Sequence, residues 1–497
     1  AAPLNKDAHL FLGLAQYNLG ELMAAWQEFK TAIKLMSDDE RKVYEYFSAI
    51  KLLEPLLGEK LRSMSYKQIE NPIRSFWKSE EPLYLTEYNE RLLEHYSRVL
   101  HSNLHFGVPK KNLDGWKTDR GEIYLRYGRP LSITNYSPYS GQDTYTDLQG
   151  NNYLQHTIYA QTELWQYNNM DFSFSDYWQD GNYQFTDTTA MAHRKSQVQL
   201  YSRLYAESAR RTQFEKYEFL SPSKNLKGSV STVQFKNLDE ASSKATDLYV
   251  NFSIPLRKES RYTYEWGFFC FDNSFHELIM DKGFLKDFED KNILLREDTL
   301  RSFISSRKYN CPAQDVKLAF EVVRANDSSI FTNHGKLSIK NYSKDSLMVS
   351  DIVLSPKVEF ESKSETAINR NSIWILPNPD GKFSKKDNVH IYYEIYNLAK
   401  RESGENDFEQ EIIIKKKNSS SFFIGKMVGS LVRFFDSGYD RGKITSPAKV
   451  KSYGKNQQMC FMLGLDKFDS GDYEIELIVS DKVSGQKTSN KVSFELN

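Results

Sequence analysis

Cysteine is scarce. Cys270, Cys311 and Cys460 are all there is in 497 residues, too few for a disulfide scaffold and too scattered for a zinc site. Buried free thiols are expected, with a Cys270–Cys311 bridge as the alternative because both fall in one expected domain. Long apolar runs are missing too. The longest candidate, Phe422 to Phe435, is broken by Lys426 and Arg433 and falls short of the roughly 18 residues a membrane helix needs, so no transmembrane segment is expected. Net charge is zero, with 66 basic against 66 acidic side chains, which removes the field that general nucleic-acid binding draws on. There is no G-x-S-x-G elbow, no G-x-x-x-x-G-K phosphate loop, no dinucleotide glycine fingerprint and no H-E-x-x-H, since His276-Glu277 stops short of a second His. Four common enzyme classes lose their support, and no cofactor is implied. A glycosidase needs only two carboxylates brought together by folding, for example Asp171 or Asp176, so that class stays open.

Aromatic side chains are abundant: 31 Tyr, 31 Phe and 7 Trp, in a chain that is only 39% hydrophobic and has a mean hydropathy of −0.62. Such a chain builds aromatic cores under a polar surface. At roughly 150 residues per domain its length corresponds to about three domains. It opens Ala1-Ala2-Pro3 without Met, so a leader or further N-terminal part ahead of it is an expectation.

Residues 8 to 33 read as two short helices. Leu12, Gly13, Gly20, Ala25, Phe29 and Ala32 stand at the offsets of a tetratricopeptide repeat, which this segment resembles, with His9 where that repeat usually carries Trp. Small residues let the helices approach and Phe29 fills the gap between them. A plain helical hairpin is the other reading. Helices from about Asp38 to Ser63 are expected to cover it, giving a helical segment over 1–64, the end of a helical array. A further helix is expected from Thr86, as cap, to Leu104, burying Leu92, Leu93, Tyr96, Val99 and Leu100. On it His101 and His105 stand four apart. With no third ligand at a matching offset, packing is expected there and no metal.

The most informative stretch is Gly115-Trp116-Lys117-Thr118-Asp119-Arg120-Gly121, continuing Glu122-Ile123-Tyr124-Leu125-Arg126-Tyr127-Gly128-Arg129-Pro130. Read from its residues, it is a turn feeding a strand. Asp119 accepts backbone hydrogen bonds in an Asx-type turn, Gly121 takes positive φ, and Ile123, Leu125 and Tyr127 alternate with polar neighbours. The expected role is a fold-fixing network, with Asp119 on backbone N–H groups, Arg120 and Arg126 on carbonyls and Trp116 packed over Gly121. The rival is an active-site carboxylate held by guanidinium groups, which lacks a nucleophile or base at a diagnostic spacing. No residue is therefore assigned as catalytic.

This stretch, with Phe76-Trp77-Lys78, Glu81-Pro82, His105-Phe106-Gly107 and Glu163-Leu164-Trp165-Gln166-Tyr167, resembles the motif set of the GWxTD-domain family of bacterial proteins, over about Phe76 to Phe185. The resemblance implies an exported protein of Bacteroidota or related phyla, with tetratricopeptide repeats ahead of the motif domain and a β-rich region behind it. It implies architecture and compartment, in the periplasm or at the outer membrane, rather than chemistry.

Between Ser132 and Phe185 aromatics are mixed with Asn, Gln, Ser and Asp, a composition suited to stacking on sugars or burial against a protein. Thr162 to Phe174 alternates like a strand, so half of these aromatics are expected in the core. Tyr136, Tyr139, Tyr145 and Tyr153, ahead of it, are the candidate interaction residues. A polar helix from Arg194 to Glu215 is expected to close a domain over 65–220.

From Lys227 onward the pattern is short strands at regular spacing. Ser229–Phe235, Leu248–Ile254, Tyr262–Phe271, His276–Met280, Val316–Arg324, Gly335–Ile339 and Ser346–Leu354 suggest a sandwich over 221–360. Trp374–Leu376, Val389–Tyr396, Phe408–Lys415, Met459–Leu465 and Tyr473–Val479 suggest another over 361–497. Lys415 to Lys455 holds ten basic residues against Asp436 and Asp440, either a solvated lysine face or a contact for anionic lipid headgroups or an acidic partner.

The expected fold class is thus multidomain α+β: N-terminal tetratricopeptide-like helices, a central mixed α/β GWxTD domain and two C-terminal immunoglobulin-like β-sandwiches. The expected function is a non-enzymatic exported scaffold or interaction subunit, its partners other envelope proteins in a multi-subunit complex. The alternative is a carbohydrate-binding or carbohydrate-processing protein with a glycan partner on the aromatic region 132–185.

Overall fold

The computed structural model describes residues 5–53, 55–136, 140–146, 149–158, 160–168, 170–186, 226–239, 246–256, 263–286, 293–295, 301–325, 329–342, 345–360, 367–417, 432–435, 448–466 and 468–497. The chain forms two compact units, Ala1–Ser221 and Pro222–Asn497. It is a multidomain α+β protein, helical at its N-terminus and built of antiparallel sheets beyond. The expected helix Arg194–Glu215 lies outside the described residues. Among those described, no helix is long and apolar enough to cross a membrane.

The first unit opens with the hairpin α1 (Lys6–Asn18) and α2 (Leu22–Leu35). Asn5 starts it, its side-chain oxygen accepting from the backbone of Asp7 at 2.9 Å, and Gly20 turns it in the left-handed region at φ +81°. Ala25, Phe29 and Ala32 form one fully buried stripe on α2, and Gly13 gives Phe29 its room. The chain continues through α3 (Asp38–Lys42), a π-helical turn at Val43–Phe47, α4 (Ser48–Ile50), α5 (Pro55–Arg62) and α6 (Tyr66–Ser79). Next come α7 (Glu90–Phe106) and α8 (Asp119–Tyr127). The cap of α7 is Asn89 rather than Thr86: Asn89 Oδ1 accepts from Leu92 N at 2.8 Å, while the Thr86 hydroxyl donates to the Leu83 and Tyr88 carbonyls.

Strands β1 (Ser132–Tyr136), β4 (Gln161–Gln166), β5 (Asp171–Asp176) and β6 (Gln184–Thr186) form an antiparallel sheet in the order β1-β4-β5-β6. The hairpin β2 (Ser140–Thr146) and β3 (Asn152–Ile158) stands apart from it. Helices α7 and α8 join two cores. Leu93, Tyr96, Val99, Leu100 and Leu125 belong with the N-terminal helices. Phe106, Ile123 and Tyr127 pack with Trp165, Phe172, Phe174 and Phe185 of the sheet.

In the second unit, β7 (Ser229–Lys236), β8 (Thr246–Leu256), β11 (Ile293–Leu295) and β12 (Arg301–Cys311) make one sheet, β11-β12-β8-β7. It faces β10-β9-β13-β14, formed by β9 (Thr263–Phe271), β10 (Glu277–Lys286), β13 (Asp315–Arg324) and β14 (Ser329–Ser338), across an aromatic core of Phe252, Trp266, Phe268 and Phe320. Cys270 and Cys311 are buried free thiols in that core, and Cys460 is buried and free as well. Strand β12 escaped the sequence reading because its Ser, Arg and Lys hide its period.

A second sandwich follows. One sheet comprises β15 (Met348–Val349), β16 (Val353–Ser355), β21 (Asn388–Tyr396), β23 (Val432–Phe435) and β25 (Gln457–Gly464). The other comprises β20 (Lys382–Phe383), β22 (Asn406–Lys416), β24 (Ala448–Ser452), β26 (Gly471–Asp481) and β27 (Lys487–Leu496). Ser346–Leu354, expected as the last strand of the first sandwich, instead pairs with β21 of the second. The Trp374 strand likewise leaves the second sandwich: β17 (Val358–Phe360), β18 (Ile368–Arg370) and β19 (Ile373–Ile375) form a separate sheet in the order β17-β19-β18. Its Ile368, Ile373 and Ile375 pack with Phe235 and Tyr249 of the first sandwich and Tyr392 of the second.

Arg370 closes this junction. Wholly buried, it grips Glu394 with two bonds of 2.7 and 2.8 Å, Asp247 at 2.7 Å and the Lys236 carbonyl at 2.9 Å, and lies 4.7 Å from the Phe235 ring centre. Tyr392 and Tyr396 donate to the same Glu394 at 2.7 and 2.8 Å. Burial alone would raise the Glu394 carboxyl, but these bonds and the Arg370 charge hold it below its ordinary value of 4.5. Its stabilising contribution is therefore complete above that ordinary value and is lost as the pH falls through the depressed one. Arg370→Ala leaves the buried Glu394 carboxylate without its charge partner and Asp247 with Lys308 alone, and is expected to cost about 3–5 kcal/mol in denaturant unfolding. Arg370→Lys should recover little of this, because an ammonium lacks the planar fork. Glu394→Gln should flatten the acid limb of the Tm–pH profile.

Candidate functional site

The motif singled out in the sequence is a capped helix, not a turn running into a strand. Gly115–Lys117 is a single 3-10 turn and α8 begins at Asp119. Thr118 caps α8: its hydroxyl donates to Gly115 O at 2.7 Å and accepts from Gly121 N at 3.0 Å. Asp119 and Glu122 suit the positive end of the helix. The strand-like alternation misled because α8 is buried nearly all round, from Arg120 to Tyr127, apart from Tyr124. A helix hidden on every side carries no amphipathic period. Gly121 is helical rather than at positive φ. What it supplies is absence: a Cβ there would lie 1.9 Å from Gly115 O, and one on Gly115 would lie 1.8 Å from Ser102 O. Backbone meets backbone at both places.

The polar members diverge. Asp119 Oδ2 accepts from Phe185 N at 2.9 Å, fastening α8 to β6. Arg120 bonds Glu163 at 3.1 Å and the Gly181 carbonyl at 3.3 Å, and its guanidinium lies 3.9 Å from the Tyr183 ring centre. Arg126 points the other way and donates to Leu53 O at 2.9 Å. Trp116, buried, belongs to the core of the N-terminal helices. Gly115, Trp116, Thr118, Asp119, Arg120, Gly121 and Arg126 thus bind three parts of the first unit together instead of converging on one reacting atom.

Beside them runs a charged seam that the sequence reading missed. Glu90, Arg91, Glu94, His95 and Arg98 of α7 are all buried. Arg98 pairs with Glu94 and donates to the carbonyls of Leu125 and Arg126 at 2.9 and 3.1 Å, meeting the negative end of α8. Lys51 reaches Glu122 at 2.8 Å. The available signal was the i, i+4 pair Glu94/Arg98, which ordinarily marks a solvated face.

His95 Nε2 lies 2.8 Å from Ser48 Oγ, the distance of a nucleophile and its base. Both are wholly buried, and among the described residues Nδ1 of His95 has no hydrogen-bond partner and no orienting carboxylate completes a triad. Burial, then the charges of Arg91 and Arg98, push the imidazole well below its ordinary value and keep it neutral. The His101 ring stacks on Tyr124 at 4.3 Å, and burial with neighbouring His105 pushes it down to about 4. Among the described residues no group of three His, Cys, Asp or Glu side chains could hold a metal.

Among the described side chains the aromatic region divides between core and surface, with Trp178 exposed. Trp165, Tyr167, Phe172, Phe174, Tyr183 and Phe185 are core residues, which removes them from any sugar-stacking face. Asp176 organises a loop, accepting from the backbone of Trp178, Asp180 and Gly181. Tyr136 is exposed at the end of β1. Tyr145 and Tyr153 are register partners in the β2–β3 hairpin, with side chains outside the description, and Tyr139 lies outside the described residues. So does most of the basic stretch Lys415–Lys455, within which Lys415 pairs with Glu476 at 3.2 Å.

No family model and no curated protein matches the chain. Among solved structures it is similar to an Escherichia coli alpha-2-macroglobulin activated by porcine elastase, at 8% identity over 74% of this chain and 29% of that one, with a TM-score of 0.17. It is similar to the BSP domain of a biofilm associated protein, at 8% identity over 56% of this chain and 61% of that one, with a TM-score of 0.19. Fibronectin(III)-like modules of Clostridium thermocellum CbhA match at 8% identity over 54% of this chain and 94% of theirs, with a TM-score of 0.13. The chain thus spans less than two thirds of the first two, and no activity passes to it from any of these likenesses.

If the motif fixes the fold, Trp116→Ala should cost about 3–5 kcal/mol and Asp119→Ala about 1–3 kcal/mol, each lowering Tm in calorimetry. Gly121→Ala should fold poorly, since the obstacle is a carbonyl that no rotamer change can move. Wild-type melting in Trp116→Ala would remove the structural role.

Proposed function

We propose that this chain is a non-enzymatic interaction subunit or scaffold of the GWxTD-domain kind, exported and held in the periplasm or at the outer membrane with other envelope proteins. The observation that carries the reading is where the polar groups go. Asp119, Arg120 and Arg126 of the motif and Arg98 of the seam on α7 bond to the protein's own backbone and carboxylates, an arrangement that positions elements and brings no nucleophile, base and stabiliser to one point. The apolar side chains left over sit outside: Phe11 and Leu12 on α1, Leu19 after it and Met23 on α2 are exposed. Exposed apolar side chains close together on one hairpin suit a protein partner.

The hairpin is read as tetratricopeptide-like on the packing of Gly13 against Phe29 and the small buried residues Ala25 and Ala32. The sandwiches are read as immunoglobulin-like. Tyr473, at the start of β26, donates its hydroxyl to Asp469 O at 2.7 Å, the kind of corner bond such sandwiches use.

The double variant Phe11→Glu/Leu12→Lys tests this. Both sites are exposed, so Tm should move little, while capture of the tagged full chain's native complex from solubilised envelope should fail. A complex retained by the double variant would place assembly elsewhere on the molecule. Purified chain is expected to show no turnover of peptidoglycan fragments.

A further inference from the structure

Within the second unit, an open cleft of about 650 Å³ lies between β12 and the β18–β19 hairpin. That size falls in the range of small-molecule sites. Its floor is fixed by bonds that do not need a ligand. Tyr249 is buried and donates to the Asn369 carbonyl at 2.6 Å, and buried Ser306 donates to Asn251 at 2.7 Å. Both belong to the layer anchored by Arg370, since Asn369 is its chain neighbour and Asp247, its partner, lies on the same strand as Tyr249. The walls are wetter. Arg307, Lys308, Asn371 and Ser372 are exposed, and Trp374, Tyr309 and Asp281 are half-buried.

Two features give the ligand its chemistry. The wall charges sum to zero with their buried partners: Lys308 and Arg370 are matched by Asp247 and Glu394, and Arg307, 5.1 Å from the Trp266 ring centre, is matched in number by Asp281, which accepts from Tyr309 at 2.6 Å. A strongly anionic or cationic ligand would find no net opposite charge. What remains is an aromatic surface at Trp374 set among planar amide, carboxylate and guanidinium groups. Such an arrangement packs against the C–H face of a pyranose while bonding its neighbouring hydroxyls in pairs.

The rim is a tight hairpin turn. Asn371 and Ser372, the two-residue link between β18 and β19, both take left-handed φ, at 48° and 68°. Asparagine tolerates this and serine does so less readily. The tight turn sets residues 371 and 372 at the rim of the cleft.

We propose that this cleft binds a neutral oligosaccharide, with Trp374 as the stacking platform and Asp281, Asn371 and Arg307 as hydrogen-bonding groups. It lies in the second unit, away from the aromatic region that the sequence singled out, and is independent of the scaffold reading. The experiment is titration calorimetry of the full chain with cellohexaose, maltohexaose and chitohexaose, and with trigalacturonate as the acidic counterpart. At least one neutral hexasaccharide should bind and trigalacturonate should not. Trp374→Ala and Asp281→Asn should each weaken that binding by about tenfold or more at unchanged Tm, with Trp374→Phe intermediate. Should Trp374→Ala fail to fold, Asn371→Gly, at an exposed left-handed position glycine accepts, should show the same loss. Absence of binding to every neutral probe, preference for trigalacturonate, or unchanged affinity in Trp374→Ala or in Asn371→Gly would overturn the assignment.

Discussion

A guanidinium with no access to water organises the second unit. Stripping water from Arg370, Asp247 and Glu394 is costly, and the geometry offsets that cost only because the donors are matched: a bidentate carboxylate, a second carboxylate and a main-chain carbonyl. These partners come from different layers. Asp247 and Lys236 belong to the first sandwich, Glu394 to the second, and Arg370 itself to the small sheet between. An apolar junction could slide; a junction made of directed bonds has one register. The Phe235, Tyr249 and Tyr392 cluster around it adds area to an arrangement the charges have already chosen.

The first unit follows the same logic in a different shape. A chain poor in aliphatic residues has limited means of filling the space between a helical layer and a sheet, so it fills that space with aromatic rings and paired ions. Arg98 at the end of α8, Lys51 on Glu122 and Arg120 between Glu163 and Tyr183 each join elements distant in sequence. The motif glycines let the backbones approach closely enough for such bonds to form.

Much of the architecture was legible. The α1–α2 hairpin announced itself through the spacing of Gly13, Ala25, Phe29 and Ala32, and strands such as β8, β9, β21 and β26 through alternation or unbroken apolar runs. What was illegible shares a cause. Helix α8 and the charges of α7 are buried on sides where periodicity arguments expect water, so Ile123, Leu125 and Tyr127 imitated a strand and Glu94 with Arg98 imitated a surface pair. Arg370 sits on a three-residue strand, 123 positions from Asp247, beyond the reach of any local pattern. For the site, the motif stood out as unusual, yet nothing in its spacing said that Arg120 and Arg126 would point to opposite neighbours. The cleft beside Trp374 left no trace, because its walls come from three separated stretches of chain.

The buried ions of α7 also bear on how the first unit responds to temperature. Heat capacity rises on unfolding where apolar surface meets water and falls where polar surface does. A helix that hides Glu90, Arg91, Glu94, His95 and Arg98 releases a large polar share when it opens, and the two contributions partly cancel. A stability curve shallower than that of a unit built around an aliphatic core is the expected consequence.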